Sequence, residues 1–222
     1  MIRFVTETGS TNTDLASELR AGMAVPEGEW LVADRQVSGR GRQGRAWFDG
    51  YGNFMGSTVV HLSPRDPNPA TLALVAGVAA YEAVSGVLAD PSLLKLKWPN
   101  DLLLRNAKLA GILLEREGNA VIVGMGVNLV AAPDLPDRRT IALTNFGPPP
   151  DREIFARSLS YAFDQELDRW RTYGLEPLIR RWESVAHPRG ASLTVNVPGE
   201  QRIEGAFDGL TAEGTLLLRL ED

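Results

Sequence analysis

Apolar positions along this chain recur at two spacings, every second residue and every third or fourth, in alternating blocks. Residues 2–6 and Trp30–Ala33 read as short strands, and Asn53–Leu62 as a longer one. Between the first two, Thr11 and Asp14 have the spacing of a capping box, and a helix follows through Leu15, Leu19 and Arg20 to Gly22. After the turn cluster Pro64–Pro69, Ala70–Leu88 is apolar at Leu72, Val75, Val78 and Val84, which predicts a helix buried against a sheet and ended by Asp90-Pro91. In Leu94–Trp98, Leu94, Leu96 and Trp98 share one face and Lys95 and Lys97 the other. Pro99-Asn100-Asp101 makes a turn, Leu102–Leu104 and Lys108–Glu115 a hairpin around Arg105-Asn106-Ala107, and Asn119–Leu129 a further strand. Residues 131–150, with Pro133, Pro136 and Pro148-Pro149-Pro150, predict a mobile or irregular connection. Asp151–Arg171 is a helix with Phe155, Leu159, Phe163 and Leu167 four apart, and Leu175–Trp182 a shorter one.

Strands this close, with short links, predict an α+β fold: a mixed, largely antiparallel sheet packed with helices, not a doubly wound one. After His187-Pro188-Arg189-Gly190 the pattern changes. Leu193–Val197, Ile203–Ala206 and Leu216–Leu220 are short strands punctuated by Gly199, Gly209 and Gly214, as in a small β-barrel. The expected division is 1–185 and 186–222, with the smaller part leaning on the larger.

Composition narrows the chemistry. Of 222 residues 44% are hydrophobic, enough for a sizeable core. No cysteine is present, which excludes disulfides, a thiolate nucleophile and a cysteine-based zinc site; His61 and His187 are too few for a histidine-rich metal centre. Mg²⁺ stays open, because it needs mainly phosphate, water and a carboxylate. The net charge of -5 argues against a nucleic-acid partner. The longest apolar run, Leu72–Ala83, is interrupted by Gly77 and Tyr81 and is too short for a membrane span. Met1-Ile2-Arg3-Phe4 leads into polar sequence without a secretory pattern, so the expected location is cytoplasmic.

Ser38–Trp47 carries Gly39, Gly41 and Gly44 interleaved with Arg40, Arg42 and Arg45. Glycine lets the backbone approach a ligand and arginine offers a fork of donors, so the stretch is suited to an anion. It lacks the Gly-Lys-Ser/Thr ending of a P-loop, and aromatic residues, not a helix, follow it. Arginine, glycine and aromatics also interleave in RNA-binding loops. All three lysines of the chain, Lys95, Lys97 and Lys108, lie within fourteen residues and frame the Asn100-Asp101 turn. They are ordinary edge charges taken singly; with the arginine loop they suggest a phosphate-bearing ligand. Gly124 and Gly126 fall inside a strand, which marks either a bulge or a close approach. The Gly9-Ser10-Thr11-Asn12 turn is a helix cap or a cluster of hydroxyls and free N–H groups.

Four blocks together resemble the biotin protein ligases: Thr8–Asn12; Gln36–Trp47; Lys97–Asp101 with Lys108–Ile112; and Gly124–Asn128. The resemblance is strong over residues 5–130 and implies a biotin/lipoate ligase-like catalytic domain followed by a small SH3-like β-barrel. It implies coupling of biotin to ATP, giving biotinyl-5′-AMP and pyrophosphate with Mg²⁺, then transfer of biotin to one lysine of a biotin carboxyl carrier protein, as in acetyl-CoA carboxylase. It further implies that Ser10, Thr11 and Gln36, with Asn12 and Gly39, take the ureido head, and Gly111 and Ile112 the ring and valeryl chain. Arg40, Arg42 and Lys108 would clamp carboxylate and phosphate. Arg45, Trp47, Lys97, Asn100 and Asn128 would serve the nucleotide. Lys108, Arg42 and Asp101 would be catalytic, with Asp101 also at the metal. Lipoate ligases share the fold, but a fused ureido ring demands paired donors and acceptors that a dithiolane does not. The resemblance also implies the short form without a DNA-binding domain, no repressor function, a curtailed C-terminal part, and a possible homodimer. A non-catalytic nucleotide- or RNA-binding module and a structural partner using Trp47 are the readings from other classes.

Overall fold

The computed structural model describes residues 1–195 and 202–220. Seven strands form one sheet in the order β1-β2-β3-β7-β6-β5-β4. They are β1 (Ile2–Thr8), β2 (Trp30–Gln36), β3 (Phe54–His61), β4 (Leu94–Lys97), β5 (Asp101–Leu104), β6 (Ala107–Glu117) and β7 (Ala120–Val127). β1 and β2 are parallel, with helix α1 (Thr11–Arg20) as the crossover, and every other pairing is antiparallel. The expected largely antiparallel α+β sheet is therefore observed. The hairpin between β5 and β6 turns through Arg105 (φ 50°) and Asn106 (φ 61°). A two-residue hairpin needs that left-handed pair. Asparagine tolerates it; Arg105 is held there by its N–H bond to the Leu93 carbonyl at 3.0 Å and by stacking on Phe146 at 5.1 Å.

Helices α2 (Leu72–Ser85) and α3 (Arg152–Tyr173) cover one face of the sheet, joined by α4 (Leu175–Ser184). α2 is buried along nearly its whole length, as its apolar sequence predicts. Trp30 and Phe54 of the sheet meet Phe163 and Phe155 of α3 with ring centroids 5.6 and 5.7 Å apart, and the Trp170 indole N–H donates to Thr71 Oγ1 at 2.8 Å. On the opposite face α1 seals only one end, packing Leu15 and Ala16 on Val59, Ala120 and Ile122. The rest of that face is left for the site.

The start of α1 departs from the sequence expectation. Ser10, not Thr11, is the N-cap residue; no side chain caps the helix, and Asp14 instead accepts from Thr8 Oγ1. The proline-rich stretch is irregular, as expected, yet tied to the sheet at Ala131 and again at Arg139 and Ile141. Asn53 Oδ1 accepts from the N–H groups of Val130 and Ala131; Lys108 N–H donates to the Arg139 carbonyl and Ile141 N–H to the Lys108 carbonyl.

β8 (Ser192–Val195), β9 (Ile203–Leu210) and β10 (Leu216–Arg219) form a three-stranded antiparallel sheet; no closed barrel is seen among the described residues. Val197 and Gly199, named above, lie outside them. This sheet is fastened to the larger one. Phe207 stacks on Trp182 at 6.4 Å, the Leu210 N–H donates to Glu183, and the Trp98 indole donates to the Gly214 carbonyl at 3.2 Å.

His187 sits at this junction with Nε2 buried and unpartnered among the described residues. Burial, reinforced by Lys95 and Lys97, pushes it below its ordinary 6.5. Below that value the unfolded chain binds the proton more readily than the native one, so stability falls with falling pH. Denaturation midpoints are expected to drop between about pH 7 and about pH 5, and His187→Gln to flatten that slope. Equal slopes in both proteins would remove His187 as the cause.

Candidate active site

Strand register builds the floor of the site. Met55, Gly126, Gly111, Asp101 and Lys97 are successive cross-strand partners from β3 to β4, and Ser57, Gly124 and Leu113 make the neighbouring row. Side chains alternate along a strand, so both rows share the face that α1 only partly covers. Pairing of β7 runs unbroken through Gly124 and Gly126, so neither marks a bulge. They are there for clearance. A Cβ on Gly124 would stand 2.2 Å from Asn12 Oδ1, and one on Gly126 would stand 2.3 Å from the Trp47 ring. Gly111 is nearly as confined, 3.0 Å from both Lys108 Nζ and Trp47.

One end of this trough is neutral and polar. Ser10, Thr11, Asn12, Gln36 and Ser57 are all buried there. Gln36 Oε1 accepts from the Thr11 N–H at 2.7 Å and can accept from the Thr11 hydroxyl at 3.1 Å. Thr11 Oγ1 is 2.6 Å from Ser57 Oγ, which in turn donates to Asn12 Oδ1 at 2.6 Å. Asn12 Nδ2 donates to Glu115 at 2.7 Å. A capping serine normally contributes about 1 kcal/mol to its helix. Here the Ser10 hydroxyl caps nothing. Gln36 is steadied from behind, where its N–H donates to Asp49, itself paired with Arg35.

The other end is cationic. Lys108 Nζ is 2.6 Å from Asp101 Oδ1, with both side chains less than one-fifth exposed, and it lies 5.7 Å from the centre of the Trp47 ring. That is within cation–π range. Arg42 reaches the residue next to Asp101, donating to Asn100 Oδ1 at 3.2 Å. Asn100 is locked in turn by Ile112, whose N–H and carbonyl bond to its carbonyl and Nδ2. The two ends are continuous, since a Cβ on Gly39 would stand 3.3 Å from Trp47 and 3.4 Å from Gln36. The glycine–arginine loop is pinned at its base by Ser38 N–H to the Gly9 carbonyl and closed by Trp47 N–H to the Gly39 carbonyl. Its tip, with Gln43 at φ 59°, projects outward, and Arg40, Arg42 and Arg45 are exposed with no ion-pair partner among the described residues.

Most residues singled out from the sequence thus converge on one trough. Arg40 and Arg45 are exposed, with no side-chain hydrogen bond or ion pair among the described residues, and Lys97 lies on the outermost strand. Ile112 turns its side chain into the core and serves by anchoring Asn100. Asn128 holds the Ile141 carbonyl at 3.2 Å beside Lys108, leaving its own Oδ1 buried without a donor. Ser57 and Glu115 escaped sequence reasoning. The one usable signal for Ser57 was a Ser-Thr pair inside an otherwise apolar strand; Glu115 is one carboxylate among many on an alternating strand.

A model of the biotin/lipoate A/B protein ligase family matches residues 5–129. The chain is 35% identical to a biotin–[acetyl-CoA-carboxylase] ligase of Paracoccus denitrificans, over 96% of this chain and 91% of that one. The structure of the biotin protein ligase from Aquifex aeolicus in complex with biotin and ATP superposes with a TM-score of 0.85 at 28% identity, covering 99% of this chain and 92% of that chain. That of the Leishmania major biotin protein ligase in complex with biotinyl-5-AMP gives 0.75 at 26%, covering 98% and 94%. The matched block runs from β1 to just past β7 and carries every strand that floors the trough; the chain belongs to the biotin/lipoate A/B protein ligase family.

Proposed function

We infer that this protein is a biotin–protein ligase that activates biotin with ATP to biotinyl-5′-AMP, releasing pyrophosphate, and then passes the biotinyl group to a lysine of a biotin carboxyl carrier protein. The observation that carries this reading is a single glycine-floored trough with a neutral hydrogen-bonding pocket at one end and Lys108 and Arg42 converging at the other. Such a trough suits an acid with a polar ring at its far end, and a ureido ring suits the Ser10, Thr11 and Gln36 pocket.

In the first step an oxygen of the biotin carboxylate attacks the α-phosphorus and the bond to the β-phosphate oxygen breaks. Two anionic groups must meet, so cationic donors fixed where charge builds on the α-phosphoryl oxygens lower the barrier. Lys108 has that role, exchanging Asp101 for the incoming anion, and Arg42 closes from the loop. Trp47 and the glycine–arginine loop cover the mixed anhydride and keep water from it. Arg40, Arg45, Lys97, Asn100 and Asn128 serve the nucleotide side. In the second step a neutral carrier amine attacks the acyl carbon, AMP leaves with the bonding electrons, and the proton shed by the amine passes to the departing phosphate or to water. No histidine lies at the trough, so positioning and the leaving ability of AMP carry this step.

No group of three metal-ligating side chains occurs among the described residues. One carboxylate is nonetheless enough for Mg²⁺ that arrives on a triphosphate. Asp101, with its second oxygen, would hold it, and the ion would neutralise the departing pyrophosphate. The carrier is that of acetyl-CoA carboxylase or a similar carboxylase. No described helix is long and apolar enough to cross a membrane. The reading places the enzyme in the cytoplasm with neither nucleic acid nor membrane as partner. It allows a homodimer through β1, the edge strand that has, among the described residues, no bridge such as that of β4 to Ala186.

The test is pyrophosphate release that requires both biotin and ATP, followed by label transfer to a carrier domain. Thr11→Ala and Gln36→Ala should each weaken biotin binding by about tenfold or more and leave the KM for ATP in place. Release with lipoate in place of biotin, and none with biotin, would sink the reading.

A further inference from the structure

The polar pocket contains a chain of hydrogen bonds whose direction is fixed from outside it. Glu115 is exposed at the edge of α1, and its carboxylate can only accept. Asn12, almost wholly buried, must therefore turn its Nδ2 toward Glu115, at 2.7 Å, and its Oδ1 toward Ser57. Ser57 has one proton and gives it to Asn12 at 2.6 Å. Thr11 Oγ1 also lies 3.1 Å from Gln36 Oε1, but Ser57 has no proton left, so the shorter 2.6 Å contact takes the Thr11 proton: Thr11 donates and Ser57 accepts. Thr11 has spent its only proton, and what its hydroxyl offers the trough is lone pairs. Gln36 Oε1 is held by the Thr11 N–H, so what its amide offers is Nε2, a donor. Were Asn12 reversed, every proton in the chain could run the other way and Thr11 could present an O–H.

We propose that Glu115 is a positioning residue that sets the hydrogen-bond polarity of the head-group pocket, making Thr11 an obligate acceptor beside the donor of Gln36. The inference rests on the reading that the ureido head binds there. A cyclic urea places N–H beside C=O and matches an acceptor beside a donor. Neither glutamine nor water at position 115 could impose that order, since each can both donate and accept. α1 does not depend on this contact for its place, because Arg20 also ties it to Glu117 of the same strand at 2.8 Å.

The experiment compares wild type, Glu115→Gln and Thr11→Ala in the full chain. It measures biotin affinity by titration calorimetry, steady-state kinetics, and binding of a carbamate analogue in which the ring N–H is replaced by oxygen. Glu115→Gln is expected to raise the Kd for biotin by about tenfold and to shrink the preference for biotin over the carbamate, with kcat and the KM for ATP unchanged. A merely structural role would weaken both ligands together. Weaker biotin binding in Thr11→Ala alongside wild-type affinity and preference in Glu115→Gln would overturn the role of Glu115 and leave the head-group placement standing. Unchanged biotin binding in Thr11→Ala would overturn the placement itself.

Discussion

Lys108→Ala is expected to slow biotin-dependent pyrophosphate release by about a thousandfold while the Kd for biotin rises by no more than about tenfold. The asymmetry follows from where the ammonium sits. It lies at the cationic end, paired with Asp101 and beside Trp47, whereas Thr11 and Gln36 are bonded to each other at the other end. Ground-state biotin keeps its head-group bonds without Lys108. What is lost is the positive charge between two groups that repel one another most strongly as the new bond forms. The substitution also leaves the Asp101 carboxylate poorly solvated and unpaired, so a stability loss of about 2 kcal/mol should accompany it. Single-turnover measurements separate that loss from the chemistry. Equal changes in binding and in rate would show that Lys108 holds biotin uniformly and does not act in the transition state.

The second large effect belongs to Gly124→Ala. A methyl group there would stand 2.2 Å from Asn12 Oδ1, and Asn12 cannot swing aside without breaking its bonds to Ser57 and Glu115. The expected outcome is a biotin affinity lower by about a hundredfold together with about 2 kcal/mol of lost stability. Calorimetric titration and chemical denaturation would check the two parts. Wild-type biotin affinity in a folded Gly124→Ala protein would mean that the Asn12 chain does not shape the pocket.

Much of this arrangement was legible before any coordinates. Alternation gave Leu94–Trp98 its two faces, and the apolar spacing of Phe155, Leu159, Phe163 and Leu167 gave α3 its buried stripe, because both are local geometry. The glycine–arginine loop and Lys108 suggested an anionic ligand by composition, and the fold brings Arg42 and Lys108 to neighbouring residues, Asn100 and Asp101. Other features depend on chain segments meeting at a distance. Whether Gly124 and Gly126 bulged or made room was open until Asn12 and Trp47 were seen against them. Thr11 and Asp14 had the right spacing for a cap, but Ser10 came first and Thr8 claimed Asp14. Ser57 and Glu115 acquire meaning only through Asn12, from which they stand 45 and 103 residues away along the chain. The parallel pairing of β1 with β2 likewise leaves no periodic trace.

The lysines have a consequence beyond the trough. An enzyme that makes an acyl-adenylate makes an amine-seeking reagent. Only three ε-amines exist on this chain, Lys95, Lys97 and Lys108, and strand register sets all of them on the face where the reagent is formed. Every other basic side chain among the 23 is a guanidinium, which stays protonated and makes a poor nucleophile. The catalyst thus offers its own product few places to land, and the carrier's amine meets little competition from the surface that delivers it.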